Sequence, residues 1–364
     1  MKFSCVKEYL EKAAAVAERF TGKNITFPIL ANLLLETEGN NLMVTATNLE
    51  YAVQIIVPGK TGRPGKVSVP AKILNSLVQS IREEKVDFEE KQGNLFVRTD
   101  TRDTRINGLN PEEFPILPKV KKTVSFRVES YLLKQGIEKV LPAVSASEFK
   151  PELAGVFFNF TPRTLRLAAT DTFRLAEKTI SLDGKDGESF SFILPQRVAL
   201  ELARVLQDKE EIKVGAGENQ ALFEADGIKI ISRLIEGNFP EYGGIIPKQF
   251  ENTSHVKREE YIQAIRSASI FSSKIQEVVL KFKEKTLEIA SANAEVGQHH
   301  MTIPAASGGK EISISFNYRY LLDGLSALDE EELFMGVNSE NTPSLLRNKE
   351  DGSFLYVLMP IRLS

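Results

Sequence analysis

Apolar residues along this chain recur at two spacings that alternate in a fixed order. Val6, Leu10, Ala13, Ala14 and Ala17 share one face of a helix over Val6–Phe20, with Lys7, Lys12 and Arg19 away from the stripe. A strand over Phe27–Leu35 follows, then an alternating hairpin, Leu42–Ile56 (LMVTATNLEYAVQII). Val67–Pro70 reads as a short strand whose proline opens a helix with Ile73, Leu74, Leu77, Val78 and Ile81 inward. Val86–Phe88, Leu95–Thr99 and Thr104–Leu109 complete a helix–strands–helix–strands unit, and Phe114-Pro115 leaves it.

The same series then repeats. A helix over Val128–Val144 places Tyr131, Leu132, Ile137, Val140 and Leu141 on its apolar side. A strand Gly155–Phe160 follows, then a second alternating hairpin, Leu165–Ile180 (LRLAATDTFRLAEKTI), with a tight turn at Thr170-Asp171-Thr172. Phe192–Leu194, Pro195 and a helix carrying Val198, Leu202 and Val205 come next. A third, degraded copy has a helix at Tyr261–Ile270, strands at Val278–Phe282 and Leu287–Ile303, and a helix near Tyr318–Leu328. Its last strand is Phe354–Leu363. Thr47, Thr170 and Ala292 stand about 120 residues apart, as do Pro70 and Pro195, and Phe114-Pro115 and Phe239-Pro240. A period of domain size predicts three tandem domains, 1–122, 123–250 and 251–364, with polar linkers at Lys119–Thr123 and Glu251–Ser254. The fold class is α+β, each domain having two helices packed on antiparallel sheets.

Composition narrows the function. Forty-two per cent apolar residues suffice for a core in each copy. The net charge of −3 predicts no overall attraction to nucleic acid and leaves room for a locally basic surface. One cysteine, Cys5, permits no internal disulfide and favours a reducing compartment; its default role is a buried structural thiol. No apolar run approaches the roughly 20 residues of a membrane span, and no signal peptide precedes the first helix, so the expectation is a cytoplasmic protein without membrane contact.

Catalytic motifs are incomplete. Gly59-Lys60-Thr61 lacks the glycine a phosphate loop needs, because position 54 is glutamine, so Pro58-Gly59 is read as a turn. Gly215-Ala216-Gly217 meets Gln220 where a dinucleotide loop needs glycine, which leaves a hairpin loop. His299 and His300 are adjacent on a strand and point to opposite faces, a poor start for a metal site. The acidic run Asp329–Glu332 reads as a solvated turn. No catalytic residues, cofactor or metal are predicted.

Several stretches together resemble one family. MKFSCVKEYL at the start, FPILANLLLE at 27–36, ATNLE at 46–50, ATDTFRLA at 169–176, NFPEYGGIIPK at 238–248 and MPIRL at 359–363 are similar to the bacterial DNA polymerase III beta subunit, the sliding clamp. The resemblance covers the whole chain, and the pairing of ATD-x-x-RLA with a terminal MP-x-RL is its specific part. It implies a head-to-tail homodimer closing a six-domain ring, with sheets outside and helices lining a hole around duplex DNA. Such a ring catalyses nothing and tethers the replicative polymerase as a processivity factor.

The resemblance carries further expectations. A ring that slides meets phosphates through mobile cations and does not read bases. Lys12, Arg19, Lys23, Lys72, Lys150, Arg197 and Arg204 are the DNA-facing candidates, Lys72 and Arg197 most strongly because each follows an equivalent helix-opening proline. The family's pocket for short linear motifs of the polymerase, clamp loader and repair polymerases falls on Leu153, Thr170, Thr172, Phe173, Arg174 and Leu175. It continues through Pro240, Ile245 and Ile246 to Val357, Leu358, Met359, Pro360, Ile361, Arg362 and Leu363. Ile270 and Phe271 match the family's dimer contact, with Thr104–Ile106 facing them. Thr172-Phe173 stands where a Gly-His pair is frequent, and Gly243-Gly244 where basic residues are, which bears on motif preference. Two alternatives are an enzyme on a triplicated scaffold, which needs a convergent polar cluster, and a protein scaffold without a nucleic-acid role.

Overall fold

The computed structural model describes residues 1–22, 26–118, 120, 124–147, 149–182, 189–206 and 211–362. Lys23, Leu363 and positions 119 and 121–123 of the first proposed linker lie outside the described residues. The chain divides into two compact units, Met1–Leu132 with Glu201–Leu234, and Leu133–Leu200 with Ile235–Ser364.

The first unit is built on one antiparallel sheet of twelve strands. Its hub is the thirteen-residue strand Tyr51–Arg63, which pairs with Asn41–Thr47, Ile228–Arg233 and Lys2–Val6 in turn. Pro58-Gly59 is therefore not a turn. It lies mid-strand, where pairing passes from Asn41 to Cys5. Glycine is required there: a Cβ on Gly59 would sit 2.3 Å from the Phe3 ring and 2.4 Å from the Ser4 carbonyl oxygen. Helices α1 (Lys7–Glu18) and α2 (Ala71–Ser80) cover the sheet with Leu10, Ala13, Ala14, Ala17, Leu74 and Val78 buried. Each large apolar side chain so buried contributes about 1.5–3 kcal/mol. Ile73 departs from expectation, being 54% exposed on the far side of α2.

Helices α3 (Ser130–Val140) and α4 (Gln196–Val205) open from the ends of strands Val124–Glu129 and Phe190–Pro195. The helix expected from Val128 thus starts two residues later, since Val128 and Glu129 still pair in the sheet. It gives way at Pro142 to a single 3-10 turn, Leu141–Ala143, because proline removes a helical donor. Tyr131 is exposed, and Leu133 takes the buried place.

The second unit holds a nine-stranded and a four-stranded antiparallel sheet. In the larger, Thr164–Thr170, Arg174–Ser181 and Phe354–Leu358 are successive neighbours. Helices α5 (Arg258–Ser269) and α6 (Tyr318–Ala327) belong here. Gly136 of α3 lets the helix settle on the sheet, since a Cβ would come 2.7 Å from Leu167 Cδ1. Glu251–Ser254 is no linker: Asn252–Lys257 is a strand, with Asn252 and Ser254 buried. Three other ends differ from the pattern. The strand expected at Phe27 is preceded by the 3-10 turn Pro28–Ala31 and runs Asn32–Glu38, Thr104–Leu109 stops at Ile106, and the terminal strand stops at Leu358.

Candidate partner-binding pocket

The site begins with the turn Thr170–Arg174. Thr170 Oγ1 donates to the Arg174 carbonyl at 2.7 Å and accepts the Thr172 N–H at 3.2 Å. Asp171 Oδ1 accepts the N–H groups of Phe173 and Arg174 at 2.9 and 3.0 Å. These local bonds hold Thr172 at φ 77°, a left-handed conformation that a β-branched residue rarely takes. The turn lifts Phe173 into solvent, 59% exposed, and turns Leu175 into the core.

The end of the chain is fastened to this turn. Leu175 pairs with Val357 and Arg174 with Leu358, and the Met359 N–H donates to the Phe173 carbonyl at 2.8 Å. The strand stops at Leu358; beyond Met359, Pro360 has no N–H to extend the ladder, and the Ile361 N–H donates instead to the Ser315 carbonyl at 2.8 Å. Met359, Pro360 and Ile361 are half-buried and Arg362 is exposed.

Two apolar clusters underlie the site. One joins Leu153, Ala168, Ile193 and Phe239, the other Leu175, Phe334, Leu345 and Val357 with Ile246 against it. Tyr242 packs against both, and its hydroxyl donates to Glu177 Oε2 at 2.5 Å. Burial and that carboxylate push the tyrosine's pKa up, so it stays a neutral donor. Leu153, Thr170, Leu175, Val357 and Leu358 are buried and form floor, whereas Thr172, Phe173, Pro240 and Ile245 are exposed and form rim.

Arg174 is locked. Its Nε meets Asp171 Oδ2 at 2.9 Å, its Nη1 meets Asp323 and donates to Tyr356 Oη at 3.3 Å, and its guanidinium lies 4.2 Å from the Tyr320 ring centroid. Burial works against the charge, yet Tyr356, Asp323 and Asp171 outweigh it and hold the proton more firmly than usual. Asp323, Tyr320, Tyr356 and Tyr242 escaped the sequence reading, and Asp171 entered it as a turn residue and not as part of the site. Asp171 stood inside the ATDTF motif; α6 carries no local sign that it faces a hairpin more than a hundred residues earlier.

The basic candidates separate. Glu201, 5% exposed, gathers two of them: Arg19 Nε at 2.6 Å and Arg204 Nη1 at 2.8 Å. Lys12 pairs with Glu8 at 2.7 Å, both exposed, a contact of little energetic weight. Lys72 and Lys150 are exposed and make no ion pair among the described residues, and Arg197 is exposed at the start of α4.

Of the interface candidates, Ile270 is 69% exposed at the end of α5, and Phe271 stacks on the His299 ring at 5.7 Å. Thr104 is half-buried on Asp103–Ile106, an edge strand of its sheet. Ile106 is 4% exposed, so its side chain belongs to the core of its own unit and is withdrawn as a contact. Cys5 is buried beside Asp87, and burial pushes its thiol pKa up to about 12. Among the described residues no group of three or more His, Cys, Asp or Glu side chains could hold a metal ion. No helix among them is long and apolar enough to cross a membrane.

Solved structures share this architecture from end to end. A DNA polymerase sliding clamp from Bacillus subtilis matches with a TM-score of 0.95 at 27% identity, covering all of both chains. A sliding clamp from Pseudomonas aeruginosa bound to griselimycin matches with a TM-score of 0.96 at 25% identity, again over both whole chains. The fold is thus that of the sliding clamps, three tandem α+β clamp domains. Family models for the N-terminal, central and C-terminal domains of the DNA polymerase III beta subunit match residues 1–118, 127–241 and 244–362. The beta sliding clamps of Bacillus subtilis and Synechococcus elongatus are each 27% identical to this chain over the full length of both. The chain belongs to the DNA polymerase III beta subunit family, and its function is that of a sliding clamp, a DNA polymerase processivity factor.

Proposed function

We propose that the protein works in the cytoplasm as a head-to-tail homodimeric ring that encircles duplex DNA without reading its sequence and without catalysing a reaction. The observation that carries this reading is the run of three like clamp domains in which the first and third each end a sheet in an open edge strand. These strands are Asp103–Ile106 and Gly297–Pro304, each paired on one side with a neighbour of its own sheet and open on the other among the described residues. Two different edges on one chain suit a heterologous contact that closes on itself, and joining them removes an aggregation-prone edge. Ile270 and Phe271 add the apolar part of that contact, and Thr104 the facing edge. Lys12, Arg19, Lys72, Lys150, Arg197 and Arg204 supply the phosphate-facing charge, a local field inside a net acidic chain. The domain limits 1–122, 123–250 and 251–364 are part of this proposal.

In the same reading the polymerase, the clamp loader and repair polymerases dock through short linear motifs on the Phe173 and Met359 rim over the Leu175–Val357 floor. Apolar pockets with a few orienting polar groups and a pliable methionine suit several partners. Retention on circular DNA with a loader present, and escape once the circle is cut, is the expected outcome. Equal behaviour on both forms would remove the encircling mechanism in favour of a scaffold. The double substitution Ile270→Arg, Phe271→Arg is expected to yield monomers by light scattering, and an unchanged dimer mass would take those residues out of the interface.

A further inference from the structure

The turn that builds the pocket exists twice. In the first unit Thr47 Oγ1 donates to the Tyr51 carbonyl at 3.0 Å and accepts the Leu49 N–H at 3.1 Å. Asn48 Oδ1 accepts the N–H groups of Glu50 and Tyr51 at 3.0 and 2.9 Å. Leu49 stands at φ 77°, as Thr172 does. The fastening is repeated as well: Tyr51 pairs with Ser232, and the Arg233 N–H donates to the Glu50 carbonyl at 2.8 Å, the place Met359 takes on Phe173. The floor is repeated too, Phe114 on Ile29 and Leu30 of a 3-10 turn, against Phe239 on Leu153 of a 3-10 turn.

A groove of about 360 Å³ lies beside this first turn, lined by Leu49, Tyr51, Pro115, Ile116, Ile231 and Arg233 among others. Ile116 is 96% exposed and Leu49 51%, so the groove has an apolar rim left uncovered by the described residues. Its charged lining residues are Glu50 and Arg233, both exposed and without an ion pair among the described residues. Where the other site offers Met359, this one offers a guanidinium with no ion pair among the described residues.

We propose that this groove is a second peptide-docking site, taking an extended apolar segment that carries one carboxylate to meet Arg233. Leu49, Ile116 and Pro115 hold its apolar side chains, and the guanidinium fork fixes its register. The Glu50 carboxylate disfavours a second acid, so the occupant is apolar with a single acidic residue and not polyacidic. The inference rests on the peptide-pocket reading of the Thr170–Arg174 site, of which this is the repeated counterpart.

The test is calorimetric titration of the full-length protein with a hexapeptide bearing two leucines, a phenylalanine and one aspartate. Two equivalents per chain are expected. Met359→Asp should remove the tighter, while Arg233→Glu or Ile116→Asp should weaken the other about tenfold or more and spare the first. Replacing the peptide's aspartate with asparagine should weaken the Arg233-dependent equivalent about tenfold. Ile116 is too exposed for its substitution to threaten folding. Binding of one equivalent that Met359→Asp abolishes would overturn the second site and leave the first. A second equivalent indifferent to Arg233→Glu and Ile116→Asp would also overturn it. Retention of the Arg233-dependent equivalent alone would uphold this inference and overturn the first reading, whereas failure of the wild-type protein to bind any peptide would overturn both.

Discussion

The turns Thr47–Tyr51 and Thr170–Arg174 have the same backbone, bond for bond, and different surroundings. Both use a threonine hydroxyl and an Asx oxygen to satisfy four main-chain partners, and both hold a left-handed third residue. At the fifth residue the two diverge. Tyr51 is buried with its ring edge-on to Phe20, a packing role. Arg174 is gripped by two carboxylates and an aromatic face, so the same position becomes a fixed cation beneath an exposed Phe173. The third copy lost the device. Ala292 has no hydroxyl to donate, and the chain turns through Asn293–Gly297 with glycine at φ 133°. A turn motif can therefore be inherited whole while the chemistry around it is set by what other elements bring.

The largest effect that would break the comparison is Arg174→Ala. It leaves Asp171 and Asp323 without their shared cation and strips the Tyr320 face, which should cost about 3 kcal/mol of stability in that unit. Motif-peptide binding should fall more than about tenfold, and Arg174→Lys should restore little of either because it lacks the fork. Urea unfolding followed from a label in the second unit, together with a peptide titration, checks both. An undiminished midpoint would mean that the carboxylates do not depend on Arg174.

A smaller effect separates the two Asx residues. Asn48→Ala and Asp171→Ala each orphan two main-chain N–H donors and should each cost about 1–2 kcal/mol. The aspartate change should cost more, since it also loses the Arg174 pair. Equal losses in thermal unfolding would show that the ion pair adds nothing to the turn. The smallest effect has the opposite sign: Thr172→Gly and Leu49→Gly relieve the left-handed residue and should stabilise by up to about 1 kcal/mol, the threonine more because it is β-branched. A loss of stability at Thr172 would mean that its side chain contributes contacts outweighing that strain.

Much of this was legible in the residues. Helices and strands announced themselves through spacing, and the tandem repeat through landmarks such as Phe114-Pro115 and Phe239-Pro240, because local propensity and amphipathic faces are written along the chain. The misreadings share one cause. Pro58-Gly59 looks like a turn until Phe3 and Ser4 arrive against Gly59, and Glu251–Ser254 looks like a linker until Glu332–Val337 pairs with it. Ile106 looks available until the core of its own unit takes it. In each case a partner distant in sequence overrode a local preference.

The residues alone determined three tandem α+β domains, the position of each helix within a few residues, and the turn whose hydroxyl and Asx oxygen bond only to their own neighbours. Those bonds span four residues and need no other part of the chain. Tertiary structure decided that Arg174 would be neutralised by Asp171 and by Asp323 of α6. It decided that Tyr242 would tie two apolar clusters, that Glu201 would collect Arg19 and Arg204, and that an exposed Arg233 would replace Met359 beside the other turn. Charge and apolar surface act through space with whatever the fold brings within a few ångströms, and no spacing along the chain encodes that distance.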